Sequence, residues 1–399
     1  MAESVSGCPV FHGNINLEQP TGTLIKEFKG MRAESPIFWN EDPGYWIVLK
    51  ADYVREIFQN GAVFSSESIT PNEPNPEFKW IPGNTEAPKH VEYRQILNKA
   101  FGPKAVEKFE PMAREYARSI AESLKDQGGC EFNEAFAGVF PVRIFLEMIN
   151  YPWELQPKFA RISDTIFNGI FGLDGCTMDD TLAAMKEIRD FFEPELAARH
   201  ANPRDPDKDF LQFVMNSTIQ GEPISDDDVL NMFNQLVLAG LDTVKSQLGY
   251  AFLHLATHPE DRQRIIDNPE LIPSANEEFL RAYPLVMDGR KVREDINFHG
   301  VEMKAGQMVQ LVLVSATHDE DAFENADEVI IDRAKNNHLA FGAGPHRCMG
   351  SHLTRMEMRV ALEEWHKVIP NYELAVPLSE IRERGGQLSL RGLPLKWST

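Results

Sequence analysis

The sequence predicts a mainly α-helical fold with small β-sheets, and two observations carry this prediction. From about residue 88 to residue 284, apolar residues recur at three- and four-residue spacing, which is typical of amphipathic helices. Before and after that stretch, short alternating runs indicate strands. No linker rich in Pro, Gly or Ser divides the chain. We therefore expect one domain over residues 1–399, with a β-containing part at about 1–87, a helical part at about 88–284 and a mixed part at about 285–399.

The individual elements follow from turn and capping signals. Turn-forming residues at 40–44 precede an apolar run at 46–49, which predicts a β-hairpin. A long helix is expected over 225–258, because Ser225 can cap it, three aspartates follow, and Pro259 would end it. Short strands are expected within 298–314 and 387–395, and a last helix over 350–368.

Composition excludes several classes of partner. The 399 residues include 40 Lys+Arg and 61 Asp+Glu, a net charge of −21, which argues against nucleic acid and anionic membranes. The first 14 residues lack the basic and apolar regions of a signal peptide, and no apolar run approaches the roughly 20 residues of a membrane span. Four cysteines without a CxxC pair fit a reducing compartment. We therefore expect a soluble cytoplasmic protein that binds neither nucleic acid nor membranes.

One cysteine stands out by its position. Cys348 lies in a glycine-rich loop immediately before the last helix, beside His346 and Arg347. Free backbone N–H groups, the helix N-terminus and a neighbouring cation all favour a thiolate, and a single thiolate suits a haem iron. Two alternatives stay open from the residues alone. The thiol is structural, or it joins His346 and His352 in a zinc site, although that spacing fits no common zinc pattern.

A second motif interrupts the predicted long helix at residues 239–243, Ala-Gly-Leu-Asp-Thr. Glycine costs about 1 kcal/mol in a helix interior relative to alanine. Thr243 can hydrogen-bond to a carbonyl one turn earlier and bend the helix. The acid Asp242 beside this hydroxyl, in an otherwise apolar stretch, suits proton delivery. The alternative is a simple glycine kink with a satisfied threonine.

The pattern Phe341-x-x-Gly344-x-His346-x-Cys348-x-Gly350 resembles the haem-binding signature of the cytochrome P-450 superfamily, the haem-thiolate monooxygenases. Residues 239–243 resemble the oxygen-binding groove of the same family. The resemblance covers essentially the whole chain and is strongest to the bacterial camphor-type monooxygenases. It implies the cytochrome P-450 fold and haem b with Cys348 as the axial ligand. It also implies that Asp242 and Thr243 form the acid–alcohol pair that delivers protons.

The resemblance also implies roles for charged residues elsewhere. The partners of the haem propionates would be His90, Arg94, Arg290 and His346. A structural clamp behind the haem would be formed by Glu278, Arg281 and Arg333. We treat this clamp as fold-specifying and not as catalytic.

By the same resemblance, the substrate pocket would be mostly apolar. Its walls would include Phe78, Trp80, Gln235, Leu238, Val286 and Met287. Phe78 stands where camphor-type relatives carry Tyr, which removes a hydrogen-bond donor and argues against a substrate held there by a ketone. Gln235, about one turn before the kink, is a polar replacement if it faces inward.

The function implied is hydroxylation of a small apolar substrate, terpenoid-like or aromatic, with O2 and electrons from a ferredoxin with its NAD(P)H-dependent reductase. An acidic carrier would need a basic patch near Cys348, and the candidates are Lys99, Arg347, Arg355 and Arg359. One alternative is a peroxide-driven haem-thiolate enzyme, against which the intact Asp242–Thr243 pair argues. The other is a haem-based sensor or ligand carrier without turnover.

Overall fold

A computed structural model describes residues 4–5, 7–13 and 18–399, and most of its regular structure is helical. The predicted mainly α-helical class is confirmed. The expectation that the first 14 residues form no signal peptide includes residues 1–3, 6 and 14, which lie outside the described residues. Within the described part of the chain, no helix is both long enough and apolar enough to cross a membrane.

Fifteen α-helices are present in the described ranges. In chain order they are α1 Thr23–Glu34, α2 Ala51–Gln59, α3 Lys89–Phe101, α4 Pro103–Val106, α5 Glu110–Leu124, α6 Phe140–Met148, α7 Gln156–Phe171, α8 Met178–Ala201, α9 Phe210–Met215, α10 Asp226–Leu241, α11 Thr243–Thr257, α12 Pro259–Asp267, α13 Ile272–Ala282, α14 Leu313–Ala316 and α15 Ser351–Val368. A π-helical turn lies at Asn133–Ala137, and short 3₁₀ turns connect several helices. The last helix agrees with the prediction for 350–368.

The strands are short and form small sheets. They are β1 Ser4–Val5, β2 Cys8–Phe11, β3 Glu18–Pro20, β4 Ile37–Asn40, β5 Tyr45–Val48, β6 Phe64–Ser65, β7 Gly129–Glu131, β8 Thr218–Ile219, β9 Glu222–Pro223, β10 Asp288–Val292, β11 Ile296–Phe298, β12 Val301–Met303, β13 Met308–Leu311, β14 Glu373–Leu374, β15 Arg382–Arg384, β16 Ser389–Leu390 and β17 Pro394–Lys396. The largest sheet has the order β1-β2-β4-β5-β13-β10-β6. It joins the N-terminal strands to strands that lie more than 240 residues later in the sequence, since β5 pairs in parallel with β13.

The predicted hairpin is present, whereas the predicted long helix is divided. Strands β4 and β5 are antiparallel and flank the turn at residues 41–44. The helix expected over 225–258 is two helices, because α10 ends at Leu241 and α11 begins at Thr243. Ser225 caps α10 by accepting a hydrogen bond from the N–H of Asp228 at 3.1 Å, as expected. Helix α11 ends before Pro259, as expected, and Pro259 is also the first residue of the next helix, α12.

Two residues explain the backbone at the break between α10 and α11 and the packing next to it. The Thr243 hydroxyl donates to the carbonyl of Ala239 at 2.9 Å, which competes with the helical backbone hydrogen bonds. Gly240 allows α10 to lie close to α6, because a Cβ at that position would be 2.7 Å from the Phe145 ring. Helix α11 is buried around nearly its whole circumference and packs against α15 and the π-helical turn. The break therefore lies at the centre of the molecule.

Candidate active site

The Cys348 loop owes its path to two glycines with left-handed backbone conformation. Gly342 has φ 66° and Gly344 has φ 70°, values that residues with a Cβ rarely adopt. At Gly344 a Cβ would also lie 2.4 Å from the carbonyl oxygen of Phe58. The N–H of Cys348 donates to the carbonyl of Phe341 at 2.8 Å, which closes the loop two residues before α15. This turn directs the thiol into an internal cavity.

The cavity that contains the Cys348 thiol also contains the four side chains predicted to bind propionates. His90 and Arg94 come from α3, Arg290 from β10, and His346 from the cysteine loop. The rings of His90 and His346 stack with their centroids 3.8 Å apart. The tertiary structure thus brings together residues that are up to 258 positions apart in the sequence.

The two histidines are neutral at physiological pH. Burial and the charge of Arg94 lower the pKa of His90 to about 4. Burial, together with His90 and Arg290, lowers the pKa of His346 to about 3. Each neutral ring can donate one hydrogen bond, and His90 Nε2 is buried without a hydrogen-bond partner. The positive charge at this cavity therefore comes from Arg94 and from Arg290, of which Arg290 already pairs with Asp288 at 2.9 Å.

The thiol itself differs from the sequence expectation. The loop was expected to lower the cysteine pKa, but burial raises the pKa of Cys348. The N–H of Gly350 and the charges of Arg94 and Arg347 oppose this effect only in part. Because His346 is neutral, it adds no charge in favour of the thiolate. A metal that binds such a thiol supplies the missing stabilisation, since coordination deprotonates it.

The residues of this cavity fit haem b. A single thiol faces the space, as an axial ligand of haem iron requires. Arg94 forms no ion pair with any carboxylate among the described residues, so its charge is available to an anionic group such as a propionate. The buried His90 Nε2 offers a further unused hydrogen-bonding atom. In the described part of the chain, no cluster of three His, Cys, Asp or Glu side chains could hold a metal ion, so the zinc alternative lacks its ligands.

The break between α10 and α11 forms the opposite wall of the Cys348 cavity. Thr243 lines both this cavity and an adjoining, mostly apolar one, which we call the substrate cavity. Asp242 faces neither of them. Its carboxylate accepts hydrogen bonds from Gln387 at 2.8 Å and from Ser246 at 3.3 Å. The predicted acid and alcohol are thus neighbours in sequence that point to different sides of the helix break.

The carboxylate of Asp242 lies at the inner end of a small polar pocket with Lys245, Asp164 and Glu134. Burial raises the pKa of Asp242, although Lys245 and the Ser246 hydroxyl oppose the shift. Burial also lowers the pKa of Lys245, but the charges of Asp242, Asp164 and Glu134 outweigh it and the net shift is upward. A buried acid with a raised pKa and a polar path to one side is suited to exchanging protons.

Five of the six predicted pocket residues line the substrate cavity, and one does not. The five are Trp80, Gln235, Leu238, Val286 and Met287. Phe78 was expected in the wall, but it is half-buried behind Trp80, with the two ring centroids 4.7 Å apart. Trp80 lines the cavity, and the Phe78 ring stacks on it from the side away from the lining. Phe78 is therefore not among the residues that line this cavity, in contrast to the expectation for the pocket wall.

Other residues of the substrate cavity were missed by the sequence reasoning. They are aromatic or polar side chains from distant segments, including Tyr45, Phe167, Phe171, Gln310 and Gln387. One of them carried a usable signal, because Gln310 interrupts the otherwise apolar strand β13. The others have no local signature. Tyr45 comes from β5, the two phenylalanines come from α7, and Gln387 comes from the C-terminal segment, so only the packing of these segments brings them to the cavity.

The predicted clamp is formed completely. Arg281 makes two hydrogen bonds to the carboxylate of Glu278, at 2.8 and 2.9 Å, and Arg333 makes one at 2.9 Å. Arg281 also donates to three backbone carbonyls in the segment that leads to the cysteine loop. Burial alone would raise the pKa of Glu278, but Arg281 and Arg333 outweigh it and hold the pKa below its usual value. The clamp ties α13 to the chain that carries Cys348.

The expected basic patch near Cys348 is only partly available. Arg355 makes two hydrogen bonds to Glu277, at 2.6 and 2.7 Å, and Arg359 binds Glu110 at 2.6 Å. Each of these two cations is paired with an acid, so it adds little net positive charge to a docking patch, and its role in docking stays a prediction. Lys99 lies 4.3 Å from the centroid of a phenylalanine ring, and Arg347 is exposed. Only these last two candidates keep a charge unopposed by a bonded carboxylate among the described residues.

Comparisons with known proteins agree with this geometry. A family model described as Cytochrome P450 matches residues 143–397. The mycinamicin IV hydroxylase/epoxidase of Micromonospora griseorubida is 30% identical over 362 residues, which cover 88% of this chain and 89% of that protein. The solved structure of CYP101J2 matches with a TM-score of 0.87 and 30% identity over the whole of both chains. That of CYP101C1 matches with a TM-score of 0.85 and 30% identity over 98% of each chain.

Proposed function

The chain belongs to the cytochrome P450 family, and from that premise we propose that it hydroxylates a small apolar substrate, terpenoid-like or aromatic. The superfamily, its fold, haem b as cofactor and the monooxygenase class predicted from the sequence are confirmed. The family uses O2 and electrons from a redox partner. The substrate class and a ferredoxin with its NAD(P)H-dependent reductase as the electron source belong to the proposal.

One observation carries the proposal. A single thiol and two arginines that can bind anions share a cavity, and that cavity opens past Thr243 into an apolar one. Thr243 therefore lies where the cavity that would hold the haem meets the cavity that would hold an apolar substrate. A sensor or carrier would require the first cavity but not the buried acid beside the threonine.

Cys348, Arg94, Arg290, His90 and His346 are the residues that would hold the cofactor. Haem b, when bound, supplies the iron centre at which O2 is reduced and one oxygen atom is transferred to the substrate. The hydrogen bond from the N–H of Cys348 to Phe341 fixes the direction of the thiol. Arg94 and Arg290 would pair with the propionates, and the neutral His90 ring would donate a hydrogen bond to them; the His346 ring, which hydrogen-bonds to the Gly83 backbone, would lie beside them.

Protons would be handled by Thr243 and Asp242 in separate ways. The Thr243 hydroxyl hydrogen is committed to the Ala239 carbonyl, so its oxygen presents acceptor lone pairs to the cavity. It can therefore hold a water or another O–H group in place. Asp242 would release protons from its carboxyl group and recover them from the pocket of Lys245, Asp164 and Glu134. Gln387 and Ser246 hold that carboxylate in position.

The substrate would be enclosed by Trp80, Leu238 and Met287, whose apolar surfaces exclude water from the reacting atoms. Val286, 40% exposed, presents its side chain toward open space and not toward the packed core. A mostly apolar wall favours a compact hydrocarbon skeleton over a charged one. For the electron donor, Arg347 and Lys99 are the proposed cationic contacts, and the reaction is proposed for the cytoplasm.

The test is to reconstitute the holoenzyme with a ferredoxin, its reductase and NAD(P)H, and to measure hydroxylated product. We expect product that depends on all four components. The reduced protein under carbon monoxide should show the red-shifted Soret band of thiolate ligation. Cys348→Ser should abolish that band, whereas the control Cys176→Ser, at a free cysteine that does not line the Cys348 cavity, should keep it. A normal haem band in the wild type, or no product with any redox partner, would overturn the proposal.

A further inference from the structure

The substrate cavity contains a buried amide that folding does not explain. Gln310 lies at the centre of β13, is only 4% exposed, and is flanked by Val309 and Leu311, which are completely buried. Its side chain lines the cavity together with that of Met287. An aliphatic residue would suit this position in the strand, because burying an amide without partners is unfavourable. A bound ligand that forms a hydrogen bond with the amide would explain why Gln occupies this position.

Only one end of the Gln310 amide has a partner. Its nitrogen donates to the sulfur of Met287 at 3.7 Å, and its oxygen Oε1 is buried without any hydrogen bond among the described residues. The sulfur accepts and cannot donate, so it favours the nitrogen on its side. This contact fixes the orientation of the amide. The end of the amide that is left without a partner is therefore an acceptor.

A second amide repeats the pattern on the opposite wall. Gln235, on α10, lines both the substrate cavity and the Cys348 cavity, and its Oε1 is also buried without a partner. That oxygen lies next to Gly83, a residue of the Cys348 cavity, because a Cβ at that glycine would be 2.7 Å from it. Two side chains that line one mostly apolar cavity, from two different elements, thus each carry an amide oxygen without a hydrogen bond among the described residues.

The rest of the lining restricts what can satisfy them. Ile69, Ile170 and Leu238 supply apolar surface, so the bulk of the ligand is hydrocarbon. Asp288 is the one carboxylate among the described lining residues, and it pairs with Arg290 at 2.9 Å. No free negative charge therefore awaits an ammonium group. The missing partner is a neutral hydrogen-bond donor.

We propose that the substrate is an alcohol, a compact apolar skeleton whose hydroxyl group donates to Gln310 Oε1. Gln235 holds the skeleton or a second hydroxyl nearer to Cys348. A ketone or a plain hydrocarbon of the same shape leaves the Gln310 oxygen unsatisfied and binds more weakly. The proposal rests on the proposed monooxygenase function and adds the chemical class of the substrate.

The experiment measures dissociation constants of the wild-type holoenzyme for matched triples, by calorimetry and by the haem spin-state change. The triples are borneol, camphor and bornane, then cyclohexanol, cyclohexanone and cyclohexane, and finally benzyl alcohol, benzaldehyde and toluene. We expect at least one alcohol to bind about 5-fold more tightly than its carbonyl analogue, as for one neutral hydrogen bond. If no alcohol in the panel binds more tightly than its carbonyl analogue, the proposal is overturned.

Single-residue variants test which side chain is responsible for the preference for alcohols over their carbonyl analogues. Gln310→Leu should bring the alcohol-to-carbonyl ratio close to one, and Gln235→Leu should change it less. The control Leu238→Ala removes apolar contact only, so it should weaken both ligands equally and keep the ratio. A ratio that survives Gln310→Leu would also contradict the proposal. If Gln310→Leu does not fold, the wild-type panel still decides.

Failure of the inference is distinguishable from failure of the proposed function. Product formation with the ferredoxin system is measured on the same compounds. Alcohol preference without any oxidised product would refute the monooxygenase reaction and leave the binding inference standing. Oxidised products without alcohol preference would refute the inference alone.

Discussion

The two sides of the Cys348 cavity differ in how completely their polar groups are satisfied. On the cysteine side, Glu278 is completely buried and accepts five hydrogen bonds, from Arg281, Arg333, Asn336 and the N–H of Ile330. On the substrate side, and among the residues that the structure describes, Asp242 accepts two hydrogen bonds from neutral groups, and the oxygens of Gln235 and Gln310 accept none. Both sides are buried, but only the first is a closed network.

This difference separates structural from functional polar groups. A closed network stabilises one arrangement of the chain. It also resists titration, because donors already occupy the acceptor sites of the carboxylate. An open one leaves groups able to exchange protons or to bind a ligand, at a cost in stability. We therefore expect changes on the cysteine side to affect folding and haem retention. Changes on the substrate side should affect turnover.

The largest expected effect is on stability. Glu278→Gln leaves the guanidinium groups of Arg281 and Arg333 buried without a counter-charge, so we expect a loss of about 3–5 kcal/mol and poor haem retention. The measurement is the denaturation midpoint of the holoenzyme. The matched control is Asp190→Asn, which removes an exposed pair with Lys186 and should change stability by less than about 1 kcal/mol. Similar effects of the two variants would contradict the closed network.

The next effect is on catalysis. Asp242→Asn keeps the shape and the acceptor for Gln387 but removes the exchangeable proton, so the rate of product formation should fall by roughly 100-fold. Stability should not fall, because a buried carboxylate is replaced by a neutral amide. Stopped-flow measurement of product formation tests this, with Ser246→Ala as the control that keeps the acid. An unchanged rate would remove Asp242 from the proton path.

The pH dependence of stability should have opposite signs for the two acids. The pKa of Glu278 is lowered in the folded protein, so its contribution is present above the unfolded value of about 4.3 and is lost as the pH falls through the folded pKa. The pKa of Asp242 is raised, so its contribution is fully present below about 3.9 and is lost as the pH rises through the folded pKa. This is checked by measuring the denaturation midpoints of the wild type and of Asp242→Asn across pH 4–8. As the pH rises, the wild type should lose the stability that Asp242 contributes, whereas the variant has no such contribution to lose. Parallel curves would contradict the raised pKa.

A smaller effect is expected at Thr243. Thr243→Ala removes one acceptor in the cavity, worth about 1 kcal/mol, so product per electron should fall several-fold. Electron consumption should continue, and hydrogen peroxide should be released in place of product. The ratio of product to NAD(P)H consumed measures this coupling. Thr243→Ser keeps the hydroxyl and should retain the wild-type ratio; equal coupling in the alanine and serine variants would argue against the role.

The smallest effect should come from Phe78. Because this ring lies behind Trp80, Phe78→Tyr should change substrate dissociation constants by less than about 2-fold. Trp80→Ala, at a residue that lines the cavity, is the matched comparison and should weaken binding clearly more. A strong change in substrate preference in Phe78→Tyr would show that this residue contacts the substrate.

Sequence patterns predicted those features that depend on short stretches of chain. The glycines around Cys348, the Ser225 cap and the hairpin at residues 40–49 each follow from a few adjacent residues. The pairing of Arg355 and Arg359 with acids was missed, because Glu277 and Glu110 come from other helices. The position of Phe78 was wrong for a related reason. Its sequence neighbourhood says that it is near the pocket but not which face of the segment turns inward.

The residues of the sequence were sufficient for the family, the glycine-rich loop around Cys348 and the residue types at the helix break, since glycine, proline and capping residues act through local backbone geometry. Only the tertiary structure decided that Asp242 and Thr243 face different sides, that His90 and His346 are neutral, and that burial raises the pKa of Cys348. It also brought Gln310 opposite Gln235. Burial and electrostatic surroundings are set by segments hundreds of residues apart, and no local pattern specifies them.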